Sequence, residues 1–519
     1  MLQISLLLAL MGAPLATFSQ QGKVLHIGNP GEPETLDPHK YNLRLEETLL
    51  NDLFMGLTTF NAQGDIVPGA AERWETSEDG LQWTFYLNPD LTWSDGTALT
   101  ANDFEYAFRR LLNPETAASL AYFMYMIKNA VQVNSGELPV NALGVTAVDA
   151  TTLKIELDRP YPYFLERLLY PTGFPVPQHA IDKHGADWIK AENWVSNGAY
   201  VLKEWRPQSH IALKKNANFI EPAAINEVHY HPVASEQSAY NRFRSNDLDV
   251  IATFPVGQIE TVAKNTPAAL RRSDLLSMMY LVFNTQTPPL NDVRVRQALS
   301  LAIHQPTLTD KVLRSGARPA YSFAPDLISA YTPVNLPHAN TTMPQRIAQA
   351  KALLNEAGYG ARNPLELTLR HVNNSEGKKL NLAITGLWRR IGVRAVLEQG
   401  DIRNHFGSLR QGDFEAAWAG WVGENNAEHY LTLLQSDVGS VNYGRFSNAD
   451  YDAKIAEAQS EADFHRRNAL LAEAEAIAIH HYAVVPLYTS AVRRLVSPQL
   501  QGWHENPRDM HQSRYLSWK

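Results

Sequence analysis

At 519 residues the chain exceeds what a single hydrophobic core organises, so two to four lobes are expected. Apolar residues make up 45% and charged residues 19%, which excludes a disordered chain, and a net charge of −8 without basic clusters interleaved with aromatics excludes nucleic acid as a partner. The absence of cysteine excludes disulfides, thiolate metal sites, a cysteine nucleophile and a lipid anchor on an N-terminal cysteine.

Residues 1–19 carry the apolar run Ile4 to Met11, then Gly12, Pro14 and small residues up to Ser19. This is the layout of a cleavable export signal, too short to span a bilayer, with only the terminal amine as its positive end. No later run has the length of a membrane helix, so a soluble mature protein is expected.

A strand is predicted from Val24, broken by Asn29-Pro30-Gly31. Leu81 to Leu87 alternates as a half-buried strand, and Trp93-Ser94-Asp95-Gly96-Thr97 is a turn. Thr100 with Asp103 forms a capping-box pattern, opening a helix whose Phe104, Ala107, Phe108 and Leu111 share one face and which Asn113-Pro114 stops. Leu153 to Leu157 is a strand, and Asn193 to Val256 reads as mixed strands and loops. Asp292 to Ile303 is helical, and Ile347, Ala350, Leu353 and Leu354 recur at helical spacing before a capping Gly358. A strand at Leu365 to Leu369, a helix around Leu380 to Arg390 and a strand at Val393 to Leu397 follow, an order that signs an α/β layered lobe. Asp450 to His481 is helical in two parts, and Ala483 to Tyr488 returns to a strand.

Catalytic signatures are missing: no phosphate-cradling glycine loop, no Gly-x-Ser-x-Gly elbow and no His-Glu-x-x-His helix. His229-Tyr230-His231 would place two imidazoles on one face of a strand, a metal-like pair, but no third ligand is nearby in sequence and they read as exposed strand histidines. His480-His481 suits a helix C-terminus, and the pairs Glu46-Glu47 and Asp247 with Asp249 read as charged surface. No catalytic residue, metal ligand or cofactor is assigned.

From Thr35-Leu36-Asp37-Pro38-His39 onward the chain resembles the extracytoplasmic solute-binding proteins of peptide ABC transporters, family 5. The stretches that carry the resemblance include Pro68-Gly69-Ala70-Ala71-Glu72-Arg73-Trp74, Asn197-Gly198-Ala199-Tyr200 and Asn291-Asp292-Val293-Arg294-Val295-Arg296-Gln297-Ala298. Asn113-Pro114-x-Thr116-Ala117 and Val485-Pro486 resemble the oligopeptide and murein-peptide binders within it. The resemblance implies a periplasmic binding protein type II-like α/β fold of three lobes, closing by a hinge over a cleft. Residues 20–54, 176–277 and 488–519 would form lobe I, 55–175 an inserted lobe and 278–487 lobe III. It also implies a monomer that binds a short peptide or peptide-like ligand and hands it to an ABC transporter permease.

The site residues follow from the same resemblance. In Trp418-Ala419-Gly420-Trp421-Val422-Gly423-Glu424, Glu424 stands where the family has an aspartate that captures the ligand's α-ammonium. Trp418 replaces an arginine of close relatives, with Arg410 as a substitute anion partner. Asn42, beside Arg44 on the first lobe, stands where a close relative has an acid. Trp421 is a stacking platform or core, and Tyr280 and Asn284 begin the third lobe. The alternatives are a non-standard cargo (a modified or murein peptide, or an opine-like, glycosylated or heme-like compound) and, further off, a peptidase.

Overall fold

Alternating apolar residues along its strands let each of three sheets bury at least one face. The computed structural model describes residues 23–519, so the export-signal expectation lies outside the described residues. The largest sheet has seven strands. Its spatial order is Leu270–Asp274, Ala491–Val496, Val250–Ile251, Leu25–Asn29, Glu227–Pro232, His210–Lys215 and Tyr200–Arg206. It thus gathers strands from both ends of the described chain and from its middle. A four-stranded sheet, Ala71–Thr76, Gln82–Leu87, Thr152–Glu156 and Val145–Ala147, is inserted between these pieces. The six-stranded sheet runs Arg318–Pro319, Val484–Thr489, Ser277–Phe283, Ala416–Val422, Glu366–Val372 and Arg394–Gly400. The mixed α/β class expected from the sequence is the class observed.

The predicted helices form where their caps and apolar faces put them. Ala101–Leu112 opens on the Thr100 and Asp103 box, and Phe104, Ala107, Phe108 and Leu111 are buried beneath it. Met343–Glu356 ends before Gly358, whose φ of +89° is the left-handed conformation that glycine adopts without steric cost. Ala449–Ser460 and Phe464–His480 are the two parts of the Ala-rich region.

Two helices absent from the sequence reading, Arg44–Leu53 and Glu236–Arg244, sit on the largest sheet's side of the molecule. The first buries charge: Glu46 accepts hydrogen bonds from the backbone N–H groups of Glu34, Thr35, Asn42 and Leu43. Glu46 is therefore a structural carboxylate that organises the preceding loop, not a surface charge.

Two large apolar cores result, beside smaller clusters around Phe254 and Phe60. One lies between the largest and the inserted sheets, centred on residues such as Phe54, Phe85, Phe104 and Tyr200, and the other belongs to the six-stranded sheet. The chain crosses between them twice, side by side. Strand Leu270–Asp274 passes through Leu275 and Leu276 into Ser277–Phe283, and Val484–Thr489 passes through Ser490 into Ala491–Val496. The strands are antiparallel partners on both sides of the crossing. The crossings are tied together, with Leu275 N–H donating to Ser490 O at 2.9 Å and Ser490 N–H to Ser277 Oγ at 3.0 Å. No helix among the described residues is long and apolar enough to cross a membrane.

Candidate functional site

The stretches shared with the binding-protein family hold the lobes in register. Asp37 takes two bonds from the Arg110 guanidinium, at 3.0 and 2.6 Å, and Arg110 also lies 2.9 Å from His39 Nδ1. This ties the first lobe's entry loop to the inserted helix Ala101–Leu112. Burial, and then Arg110, push His39 down to about 3, so the ring is neutral. Asn197 spans Met55 with both ends of its amide, and at Gly198 an added Cβ would run into the backbone of Leu53 and Phe54. Arg296 is buried and donates to the carbonyls of Leu290, Asn291, His481 and Tyr482, so it anchors the third lobe.

A cavity of about 350 Å³ opens where the three lobes meet. Arg44, Glu47, Arg508 and Asp509 line it from one side, Phe60, Glu166, Leu169 and Tyr170 from the inserted lobe, Leu276 from the crossing between lobes, and Gly423 and Glu424 from the third. Glu424 follows the end of strand Ala416–Val422, where Gly423 N–H donates to Leu276 O. Gly423 has no room for a side chain, because a Cβ there would meet the Tyr430 ring at 2.6 Å. Asn426 caps the next helical turn by accepting from His429 N–H, and its amide donates to Glu424 Oε2 at 3.1 Å.

Glu424 is buried to 2% exposure and faces Arg167 of the inserted lobe, with Nη1 2.6 Å from Oε1. The contact is a buried ion pair, and His429 Nδ1 lies 3.7 Å from the same oxygen. Burial pushes the Glu424 carboxyl above the usual carboxylate range, against the pull of Arg167 and Arg508. The remaining charges are paired as well: Glu166 with Arg508 at 3.0 Å, Glu47 with Arg44 at 3.0 Å, and Asp509 with Arg494 at 2.6 Å. Asn425 N–H donates to Glu166 Oε1 at 3.0 Å, a second bond between the inserted and third lobes.

Of the residues named from the sequence, the structure brings Glu424 and Arg44 to this cavity. Asn42 is exposed on the loop just before Arg44, its N–H on Glu46. Trp418 and Trp421 lie on the same strand as the approach to Glu424, both half-buried with indole N–H groups that lack a hydrogen-bond partner. Trp421 packs edge-on to His429, and Trp418 sits beside His405. Neither Asn42 nor the two tryptophans line the cavity, and the remaining three residues do not either. Tyr280 is core, edge-on to Phe323. Asn284 is buried and spends its amide on Gly412 O and Gln286 N–H. Arg410 ends helix Ile402–Gln411, exposed, beside a separate depression with Arg370 and Arg403. Sequence reasoning missed Arg167, Glu166, Arg508 and Tyr170, none of which sits in a distinctive pattern.

Lobes joined by paired crossings over a charged cleft of about 350 Å³ define a binding protein of the two-sided closing type. Residues 65–442 match the model of bacterial extracellular solute-binding proteins, family 5 (middle region), and the chain belongs to that family. It is 37% identical to the periplasmic murein peptide-binding protein MppA of Escherichia coli K12, over 96% of this chain and 93% of that one. The unliganded open form of MppA superposes with a TM-score of 0.86, covering 96% of this chain and 98% of the other. The Probable deoxycholate-binding periplasmic protein YgiS of the same organism is 35% identical over 95% and 93% of the two chains. The Haemophilus influenzae OppA complex with the peptide RPPGFSPFR matches with a TM-score of 0.77 at 30% identity, over 96% and 99%.

Proposed function

We propose that this protein binds short peptides in the interlobe cavity, in the periplasm, and presents them to the permease of an ABC transporter. The observation that carries the reading is the Glu424 carboxylate, buried where the three lobes meet and paired there with Arg167 at 2.6 Å. A peptide ammonium would share or take over the place of the Arg167 cation on that carboxylate, while Arg44 and Arg508 offer partners to a peptide carboxylate. The names and ligands of MppA and OppA support the same class of cargo. The lobe edges proposed are those of the sequence, with the hinge at residues 275–276 and 490. The protein acts as a monomer and catalyses no reaction.

A second reading is an amphipathic carboxylate. Leu169, Leu276 and Met510 give the cavity apolar walls, and YgiS is named for deoxycholate. The mature protein is tested by calorimetric titration and thermal unfolding with di- to pentapeptides and, separately, with deoxycholate. A ligand at ~100 times its Kd stabilises the folded state by about 2.7 kcal/mol. A rise in Tm with peptides supports the first reading, and a rise with deoxycholate alone replaces it with the second.

A further inference from the structure

His229 and His231 have a third partner that sequence spacing hides. Strand Leu25–Asn29 runs parallel to Glu227–Pro232, with His26 in register with His229 and Gly28 with His231. Leu25, Ile27, Val228 and Tyr230 face the core, so alternation puts His26, His229 and His231 together on the opposite face. His210, at the start of the next antiparallel strand, shares that face and stacks on His229 with ring centres 5.0 Å apart. None of the four lines the interlobe cavity.

His26 Nδ1 lies 3.0 Å from His231 Nε2, and one ring nitrogen from each of His26, His229 and His231 falls within 4.8 Å of the others. Tetrahedral zinc with Zn–N bonds of about 2.0–2.1 Å requires nitrogens separated by roughly 3.3 Å, so small ring rotations suffice. Among the described residues, no other group of three such side chains brings its donor atoms this close. A carboxylate completes the arrangement: Glu227 Oε1 sits 2.8 Å from His229 Nε2, which orients the ring and leaves Nδ1 for a metal. All three rings are half-buried, reachable by an ion yet fixed by the sheet. Three cations lie around the cluster: Arg242, Lys203, whose Nζ is 2.6 Å from the same Glu227 Oε1, and Lys23, 3.9 Å from Asp249, which accepts the His26 backbone N–H at 3.0 Å.

We propose that His26, His229 and His231 form a binding site for one divalent first-row transition-metal ion, zinc(II) foremost, with Glu227 as the carboxylate behind His229. The site is independent of cargo binding. Three imidazoles leave one coordination position for water or for His210, and the ion clasps strand Leu25–Asn29 to its neighbour.

The test uses the mature full chain without a polyhistidine tag, titrated with zinc chloride near neutral pH. Expected are one ion per chain, a rise in Tm on zinc addition, and at least ~10-fold weaker binding in His231→Gln. Glu227→Gln keeps every ligand and is expected to weaken zinc ~10-fold or more while leaving the metal-free Tm unchanged. Anomalous diffraction from zinc-loaded crystals should place the ion between the three rings. Unaltered zinc affinity in His231→Gln, or an ion found only at other histidines such as His480 and His481, overturns the proposal. Should His231→Gln fail to fold, unaltered affinity in Glu227→Gln with no anomalous peak at the rings overturns it equally.

Discussion

Glu424 of the third lobe and Arg167 of the inserted lobe face each other at 2.6 Å across the cavity. Arg167 thus stands where the resemblance puts the ligand's ammonium. A ligand amine must share or displace Arg167, which ties binding to a rearrangement across the lobe boundary.

Glu424→Ala is therefore expected to weaken a free-amine peptide more than its N-acetylated form. The difference should be about 10- to 100-fold, the scale of a charge-assisted hydrogen bond of about 1.5–3 kcal/mol. Equal losses by titration calorimetry would remove the ammonium role. The Arg167→Met variant, freed of the competing cation, is expected to bind such peptides at least as tightly as the native protein.

Arg110→Ala should cost about 3–5 kcal/mol of stability, because it strands the buried Asp37 carboxylate. Denaturant titration measures the loss, and a change below about 1 kcal/mol would show that Asp37 finds another partner.

Acid should destabilise the protein through the buried His39 and the half-buried His429, both lowered to about 3. Their folded values lie below the unfolded value of about 6.5, so the unfolded chain takes up protons first. The stability they contribute is complete above about pH 6.5 and is lost as the pH falls toward 3, at up to about 1.4 kcal/mol per unit for each ring. His39→Gln should flatten this slope between pH 6 and pH 4 in urea titrations, and an unchanged slope would argue against the buried neutral ring.

Gly198→Ala is expected to lower Tm sharply, with a cost of about 2 kcal/mol or more, because the new methyl meets the backbone of Leu53 and Phe54. A Tm within a degree or two of native would mean that the strand can move aside.

What the sequence revealed depended on how local the physics was. The Thr100 and Asp103 cap and the apolar face of Phe104 and Phe108 are neighbours in sequence, and the helix was legible to within a residue or two. Helix Arg44–Leu53 was not, because Glu46, Glu47, Asn51 and Asp52 occupy buried positions that periodicity expects to be apolar. The family stretches were legible too, but the structure gives Asp37, Asn197 and Arg296 scaffold roles. Glu424 stood out only by resemblance. Its partners Arg167 and Arg508 come from other lobes, and His26 joins His229 only through parallel pairing, so neither grouping leaves a trace in local spacing.

The paired crossing at Leu275 and Ser490 shapes the motion that such a protein makes. A single strand between lobes could swivel as well as bend, whereas two strands bonded to each other resist torsion and leave one easy axis, like a door on two pins. Each swing then returns the same walls to the same alignment. Little orientational entropy remains to be lost when the door shuts, so a cargo's fit, rather than a search among lobe poses, sets how long it stays shut.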